Sequence, residues 1–351
     1  MPSPIRVLVV DDSSFMRKII ANMLASDPRI QVVGTARNGD DALAQVTLLK
    51  PDVMTLDIEM PGRSGLDVLR QVMEETPLPV IMVSSLTEEG AKETLTALDL
   101  GAVDYVPKQL HDSAVNIVGI QQELIDKVVA AHRAGAKLHL LTRHGNGNGK
   151  RDCLPAGTAL HARGSKVVAI GCSTGGPKAL LDILPLFPED FPAPILVVQH
   201  MPKFFTGPFA ERLNQLSRIE VREAAEGDLL KPGLALIAPG GLHLRVKRLN
   251  ALESAVSLSP EPVTLHRPSV DVMMESVAEI FTGRAVGVIL TGMGHDGRDG
   301  MQAIKKAHGR TIAQDEATCV VYGMPKAVVE NGTADKIVPL GKMAGEIANM
   351  V

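Results

Sequence analysis

Cysteine, net charge and long apolar runs are all scarce in this sequence of 351 residues. Its three cysteines, Cys153, Cys172 and Cys319, are too few and too scattered for a disulfide framework or a zinc site, which favours a reducing cytoplasm. A formal net charge of −4 gives no reason to expect nucleic acid or an anionic membrane as a partner. No stretch reaches the roughly 18 apolar residues of a membrane span. Asp11 and Asp12 interrupt the first apolar run before a secretory signal is complete. We therefore expect a cytoplasmic protein that does not insert into a membrane.

The chain is long enough for two α/β domains, each with its own core. Its first half alternates apolar strands with helical patterns, which is typical of a doubly wound parallel sheet. Residues 144–152 then alternate glycine and asparagine, cannot bury apolar surface, and indicate a linker rather than a surface loop. We predict a first domain at 1–122, a linker at 123–165 that starts with helical spacing, and a second domain at 166–351.

Polar side chains follow the predicted strands of the first domain. Asp11 and Asp12 follow the first strand, Asp57 the third, Ser84 the fourth and Lys108 the fifth. Because the carboxyl ends of parallel strands meet at one edge of a sheet, we expect these side chains to lie together. Three carboxylates there favour Mg²⁺, while a lysine and a hydroxyl suit a phosphoryl group. The pattern predicts phosphoryl transfer to an aspartate, although each residue alone is better explained as a solvated loop charge.

The motifs around these residues resemble those of a response-regulator receiver domain over residues 5 to about 122. They read Val-Val-Asp-Asp, Leu-Asp-Ile-Glu-Met-Pro-Gly, Val-Ser-Ser and Tyr-Val-Pro-Lys. The resemblance implies a flavodoxin-like fold, phosphorylation by a chemotaxis histidine kinase, and Mg²⁺ as the cofactor for it. It also implies the following roles: Asp57 as phosphoacceptor; Asp11, Asp12, Asp57 and the backbone carbonyl of Glu59 as metal ligands; Ser84, Tyr105 and Lys108 as the phosphorylation switch. Gln109 stands where receivers commonly have proline, which puts the family's cis peptide at that bond in question.

The second domain opens on residues 167–177, Val-Val-Ala-Ile-Gly-Cys-Ser-Thr-Gly-Gly-Pro. The apolar run predicts a buried strand, and the glycines followed by Pro177 predict a tight turn into a helix. Ser173 would lie in that turn, where free backbone N–H groups can stabilise an anion. A phosphate-binding glycine loop or a plain turn is the alternative for this stretch alone.

Two further strand ends carry groups that suit a serine hydrolase. His200 follows the strand at 195–198, and Asp296 follows the strand at 285–290. A histidine that takes the proton of Ser173 and a carboxylate that orients it form a catalytic triad. His243 is a weaker candidate because it has no obvious partner, and His295 with Asp296 lacks a third metal ligand. Cys172 is predicted to point away from Ser173 as a buried structural thiol rather than to act as a nucleophile.

Residues 166 to about 349 resemble the catalytic domain of the chemotaxis protein-glutamate methylesterase. The matching motifs are Ile-Gly-Cys-Ser-Thr-Gly-Gly-Pro, Gln-His-Met-Pro, Ile-Ala-Pro-Gly-Gly-Leu-His-Leu, Arg-Pro-Ser-Val-Asp and Leu-Thr-Gly-Met-Gly-His-Asp-Gly. The resemblance implies a Rossmann-like α/β domain with a mainly parallel sheet. It implies Ser173, His200 and Asp296 as the triad, the Met293 backbone N–H as oxyanion-hole donor, and Thr174 as support. Ester hydrolysis would need no cofactor.

Together the two resemblances imply a phosphorylation-activated serine hydrolase of a two-component system. Its substrates would be glutamyl γ-methyl esters, and certain glutamines, on methyl-accepting chemotaxis receptors. The competing hypothesis is a phosphorylation-dependent scaffold that binds receptors without turnover, but a pure binding protein needs no triad. A DNA-binding response regulator is disfavoured because the second half is too long and lacks a basic recognition helix.

Overall fold

The computed structural model describes residues 3–108, 113–141 and 166–351, without the side chains of residues 113–119, 134 and 136–141. It divides the chain into two compact units, Met1–Asn148 and Gly149–Val351. Gln109 and most of the predicted linker lie outside the described residues. The bond after Lys108 and the domain boundary therefore stay predictions.

The first unit is a five-stranded parallel sheet with strand order β2-β1-β3-β4-β5 and helices between its strands. This is the doubly wound, flavodoxin-like order. Alternation of strands and helices predicted it correctly. The expected strands at 5–10, 31–35, 52–56, 79–83 and 102–106 differ from the observed ones by at most two residues at either end. The helix that closes the unit extends through residues 123–141, the start of the predicted linker. The elements are β1 (Ile5–Val10), α1 (Ser14–Ala25), β2 (Ile30–Ala36), α2 (Gly39–Leu49), β3 (Val53–Asp57), α3 (Gly65–Glu75), β4 (Val80–Ser84), α4 (Glu88–Asp99), β5 (Asp104–Pro107) and α5 (Ser113–Leu141).

The second unit is a seven-stranded parallel sheet with strand order β14-β13-β12-β6-β7-β9-β8, accompanied by an antiparallel hairpin of β10 and β11. The mainly parallel α/β architecture expected for this domain is confirmed. Three of the seven strands, β8, β13 and β14, were not predicted. The elements are β6 (Val167–Cys172), α6 (Gly176–Ile183), β7 (Ile195–Gln199), α7 (Lys203–Leu216), β8 (Glu220–Glu223), β9 (Leu234–Ile237), β10 (His243–Arg248), β11 (Ser254–Ser259), α8 (Val270–Ile280), β12 (Ala285–Ile289), α9 (Arg298–Lys306), β13 (Arg310–Gln314), α10 (Met324–Glu330), β14 (Lys336–Val338) and α11 (Leu340–Met350).

The central strands of both sheets are apolar and buried along their whole length, as strands covered by helices on both faces must be. Strand β6 lies in the middle of the second sheet. The chain adds β7, β9 and β8 on one side of it and β12, β13 and β14 on the other. The strand order therefore reverses at β6, and ligand sites of such sheets lie at the carboxyl ends of the strands that flank this reversal. Within the described residues, no helix is long and apolar enough to cross a membrane.

Candidate active site and phosphorylation site

The carboxyl ends of β6, β7 and β12 carry the three candidate catalytic side chains. Ser173 directly follows β6, His200 directly follows β7, and Asp296 lies in the turn after β12. The strands are neighbours, and the His200 N–H donates to the Cys172 carbonyl at 3.2 Å. The structure thus places the three residues, which lie up to 123 positions apart in the sequence (173 to 296), at the ends of neighbouring strands.

Ser173 is held in a tight turn between β6 and α6. Its N–H donates to the Thr291 carbonyl at 3.1 Å, and its carbonyl accepts from the Gly176 N–H at 2.7 Å. Gly175 has φ of +76°, a left-handed conformation that disfavours any side chain. The turn is therefore fixed on both sides of Ser173. In the described part of the chain, the Ser173 hydroxyl has no hydrogen-bond partner.

Asp296 lies at the N-terminus of α8, where four donors surround its carboxylate. Oδ1 accepts from the Ser269 hydroxyl and the Asp271 N–H, both at 2.9 Å, and Oδ2 accepts from the Val270 N–H at 2.7 Å and from His200 Nε2 at 2.8 Å. Burial alone would raise the pKa of Asp296. The hydrogen bond from His200, the charge of that ring when it is protonated, and the backbone donors of α8 outweigh burial and hold the pKa of Asp296 well below its usual range. Asp296 therefore stays ionised.

His200 uses only one ring nitrogen for Asp296. Its Nδ1 is buried and has no hydrogen-bond partner among the described residues. With Nε2 protonated and bonded to the carboxylate, Nδ1 keeps a free lone pair and can accept a proton. The ring is also stacked on that of His266, with centroids 4.2 Å apart and planes 20° apart. These contacts fix the orientation of a potential general base.

The turn after β12 packs directly on the serine. A Cβ placed on Gly292 would lie 3.0 Å from the Ser173 Cβ and 2.3 Å from Met324 Sδ, so a side chain here would crowd the serine. Across the described residues, the N–H of the next residue, Met293, has no hydrogen-bond partner. Thr174 is buried, and its carbonyl accepts from the Thr291 hydroxyl at 2.9 Å. A free donor beside a hydroxyl suits an oxyanion hole.

Cys172 is a buried structural thiol, as predicted. It has no exposed surface, and its Sγ lies 3.7 Å from the Val198 carbonyl. Burial raises the pKa of its thiol far above the usual value, so no thiolate forms near neutral pH. His295 is exposed, and among the described residues it belongs to no cluster that could hold a metal ion.

Ser269 and His243 support the site, although the sequence suggested no role for Ser269 and offered His243 only as a weaker candidate without an obvious partner. His243 is fully buried; its Nδ1 accepts from the Ser269 N–H at 3.1 Å and its Nε2 donates to the Pro262 carbonyl at 2.9 Å. Burial is the largest of the effects that lower its pKa, which keeps it neutral. Ser269 could have been recognised as the N-cap of a helix, but its bond to Asp296 has no sequence signal.

In the first unit, Asp11, Asp12 and Asp57 form an acidic cluster. One oxygen from each lies within 4.8 Å of the others. Lys108 Nζ lies 2.6 Å from Asp57 Oδ2 and 3.2 Å from Asp11 Oδ2. One lysine against three carboxylates leaves an excess of negative charge, and hard oxygen donors at this spacing suit a divalent cation such as Mg²⁺.

The electrostatics of Asp57 reflect its position in the sheet. Burial raises its pKa to about 6, although the hydrogen bond and charge of Lys108 act in the opposite direction. For Lys108 burial acts to lower the pKa, but Asp57 and Asp11 outweigh it and raise the pKa. A buried carboxylate with a nearby cation is a suitable phosphoryl acceptor.

The other receiver residues lie around this cluster with different partners. The Ser84 hydroxyl donates to the Gly90 carbonyl at 3.1 Å and accepts from the Thr94 hydroxyl at 2.7 Å. Tyr105 is buried, with Lys127 Nζ 5.1 Å from its ring centroid. The Glu59 side chain accepts from the Ser85 hydroxyl at 2.8 Å. Ser84 is thus engaged with α4 and its N-terminal loop.

Known proteins match both units. A sequence profile of the family described as CheB methylesterase matches residues 168–347, and one described as response regulator receiver domain matches residues 7–117. One curated relative, protein-glutamate methylesterase/protein-glutamine glutaminase 2 of Nitratidesulfovibrio vulgaris, is 50% identical over 98% of this chain and 99% of its own. The protein-glutamate methylesterase/protein-glutamine glutaminase of Halalkalibacterium halodurans is 46% identical over 99% and 98%. The crystal structure of the Thermotoga maritima CheB methylesterase catalytic domain is 44% identical, covers 54% of this chain and 100% of its own, and has a TM-score of 0.52. Both predicted resemblances are confirmed.

Proposed function

This chain belongs to the CheB methylesterase family, and we propose that it hydrolyses its substrates through an ester between a glutamyl group and Ser173. It is a protein-glutamate methylesterase and protein-glutamine glutaminase that carries a receiver domain and acts under phosphorylation control in chemotaxis. The roles of its individual residues follow from the local chemistry of each site.

In the first half-reaction, the Ser173 oxygen attacks the carbonyl carbon of a glutamyl γ-methyl ester. His200 Nδ1 takes the hydroxyl proton, and Asp296 stabilises the imidazolium through Nε2. The ring is used in the opposite sense to the trypsin-like triad, in which the carboxylate binds Nδ1. The free Nδ1 lone pair and the bond from Nε2 to Asp296 support this assignment.

The tetrahedral intermediate carries a negative charge on the former carbonyl oxygen. The Met293 N–H donates to this oxygen, while Thr174 holds the turn beside the serine. The carbon–oxygen bond to the methoxy group then breaks, and His200 gives its proton to that oxygen, which leaves as methanol; with a glutamine substrate the carbon–nitrogen bond breaks and the protonated nitrogen leaves as ammonia. Water repeats the same steps on the Ser173 ester and releases a glutamate carboxylate. One site therefore serves both activities.

In the receiver domain, Asp57 is the phosphoacceptor, and Asp11, Asp12, Asp57 and the Glu59 backbone carbonyl would hold Mg²⁺. Bound there, Mg²⁺ would supply positive charge to offset that of the entering phosphoryl group. Lys108 contacts the phosphate, and Ser84 and Tyr105 form the switch that responds to phosphorylation of Asp57. The acidic cluster and the 2.6 Å contact between Lys108 and Asp57 support these roles.

The partners are methyl-accepting chemotaxis receptors as substrates and a chemotaxis histidine kinase as phosphodonor. Both would be met in the cytoplasm, which agrees with the scarcity of cysteine. Neither nucleic acid nor membrane insertion has a part in this function.

The single observation that supports the catalytic assignment most strongly is the oriented His200, bonded to Asp296 through one nitrogen with the other unpartnered. The test is methanol release from methylated receptor membranes by the full chain and by Ser173→Ala, each with and without a small phosphodonor. We expect release that requires Ser173 and rises with phosphodonor. Receptor binding without release from any preparation, with Asp57 phosphorylated, would leave the scaffold hypothesis instead.

A further inference from the structure

Between β11 and α8 the chain runs through an irregular segment, residues 260–268, which we call the strap. Its backbone is held from the outside at both ends. His243 Nε2 donates to the Pro262 carbonyl at 2.9 Å, and the Gly241 N–H donates to the Arg267 carbonyl at 3.0 Å. His243 itself is fully buried. The strap is therefore fixed to the body of the domain.

Two large apolar side chains of the strap project into solvent. Val263 is 79% exposed and Leu265 is 90% exposed, one on either side of Thr264. The Thr264 hydroxyl donates to the His266 carbonyl at 2.5 Å, and the His266 ring stacks on the catalytic base His200. A pair of apolar groups held in water beside an active site indicates a binding surface.

The strap also contributes one arginine, Arg267, and one acidic residue, Glu261. Arg267 is half-buried, and its Nε is buried without a hydrogen-bond partner. In the residues that the structure covers, its guanidinium forms neither a hydrogen bond nor a salt bridge. Partly buried arginines are normally paired, and the guanidinium geometry matches a carboxylate. The strap thus joins two apolar contacts to one unused carboxylate donor.

We propose that the strap is the docking surface for the protein substrate, an acidic polypeptide segment that packs apolar side chains on Val263 and Leu265 and a carboxylate on Arg267. The proposal rests on the proposed function, in which each turnover leaves a glutamate carboxylate on a protein. A segment that presents its ester to Ser173 must approach His200, and the strap borders His200 through His266. The Arg267 guanidinium, whose Nε has no partner among the described residues, complements a carboxylate of such a segment.

The test compares a protein substrate with a small neutral ester on the full chain in the presence of phosphodonor. The variant Val263→Ser/Leu265→Ser removes the apolar pair from solvent-exposed positions. The matched control, Leu249→Ser/Leu252→Ser, removes an exposed apolar pair (50% and 96%) at the far turn of the β10–β11 hairpin. We expect kcat/KM for methylated receptor to fall about 10-fold or more in the strap variant, because the binding energy lost scales with the apolar area of the two side chains that docking would remove from water. Hydrolysis of p-nitrophenyl acetate should stay unchanged, and the control should match the wild type with both substrates.

Arg267 provides the second arm. Arg267→Gln should lower kcat/KM for the receptor at low salt and flatten its salt dependence, and Arg267→Lys should restore part of both, because a lysine keeps the charge.

Three results would overturn the proposal. Equal losses on both substrates would show that the strap acts on His200 rather than on docking. Unchanged receptor turnover in the strap variant would show that the substrate does not dock on the strap. A rise in small-ester hydrolysis without phosphodonor would identify the receiver domain as the occupant. If the wild type hydrolyses neither substrate, the proposed function fails with it, whereas an active wild type with an unaffected strap variant refutes the docking surface alone.

Discussion

The replacement Asp296→Asn tests the catalytic assignment most directly, because it removes one charge and keeps the shape. His200 Nε2 and Asp296 Oδ2 lie 2.8 Å apart, so the charge centres of an imidazolium and the carboxylate lie about 4 Å apart. At an effective dielectric constant of about 20, their attraction is about 4 kcal/mol. This attraction exists only while His200 holds the serine proton. Loss of this attraction raises the activation free energy of the acyl-transfer step by about the same amount, so we expect kcat to fall about 10³-fold.

The four donors around Asp296 decide how the asparagine sits. An amide oxygen at the Oδ2 position still accepts from His200 and from the Val270 N–H. The amide nitrogen then faces the Ser269 hydroxyl, which can turn to accept, and the Asp271 N–H, which cannot. The histidine therefore keeps its tautomer, and one donor loses its partner. The expected loss of stability at pH 7 is about 2–4 kcal/mol, the sum of a charge-assisted hydrogen bond and a helix N-terminal charge.

The pH dependence of this loss follows from the lowered pKa of Asp296. A carboxyl whose pKa is lowered by folding stabilises the folded state above its unfolded pKa of about 4, and this stability is lost as the pH falls below that value. The gap in unfolding free energy between wild type and Asp296→Asn should be constant from pH 8 to about pH 5 and close in acid. Methanol release and denaturant unfolding measure the two effects. A variant that retains activity within about 5-fold of the wild type would refute the role of the charge.

Three further predictions concern other parts of the chain. Asp57→Asn should abolish stimulation by phosphodonor while basal ester hydrolysis remains. Burial raises the pKa of Asp57 to about 6, so ionising it in the folded state costs up to about 3 kcal/mol above that pH. Asp57→Asn should therefore unfold at a higher temperature than the wild type at pH 7.5. This difference in unfolding temperature should vanish below about pH 4, where Asp57 is protonated in both states. Mg²⁺ should raise the unfolding temperature of the wild type, measured by calorimetry, and leave that of Asp12→Asn nearly unchanged. An equal rise in both proteins would argue against the acidic cluster as the Mg²⁺ site. Iodoacetamide should not inactivate the enzyme, since burial keeps the Cys172 thiol protonated, and rapid inactivation that Cys172→Ala prevents would contradict its structural role.

The fold was predictable because its signals are local. Each central strand is a short apolar run, such as Val167–Cys172, that ends at a glycine turn or a charged residue. Strands β8, β13 and β14 escaped prediction. Strand β8, Glu220–Glu223, has one buried residue in four, and β14 is only three residues long. Edge strands such as β8 and β14 form because they pair with a neighbouring strand, and the local sequence pattern gives no sign of that pairing.

The chemistry of the site was predictable only in part, for a related reason. Ser173, His200 and Asp296 each follow a strand, and the edge rule of parallel sheets places them together. The arrangement that makes His200 a base depends on Ser269, His243 and the N-terminus of α8. His243 comes from the β10–β11 hairpin, and Ser269 with the backbone donors comes from the start of α8, so none of these groups follows a strand of the parallel sheet. Gly171 shows the physical link, because a Cβ there would lie 2.3 Å from a Val270 methyl and would push α8 away from Asp296. Gly171, which looks like part of a turn motif, therefore also sets the position of the helix whose N–H groups stabilise the ionised form of Asp296.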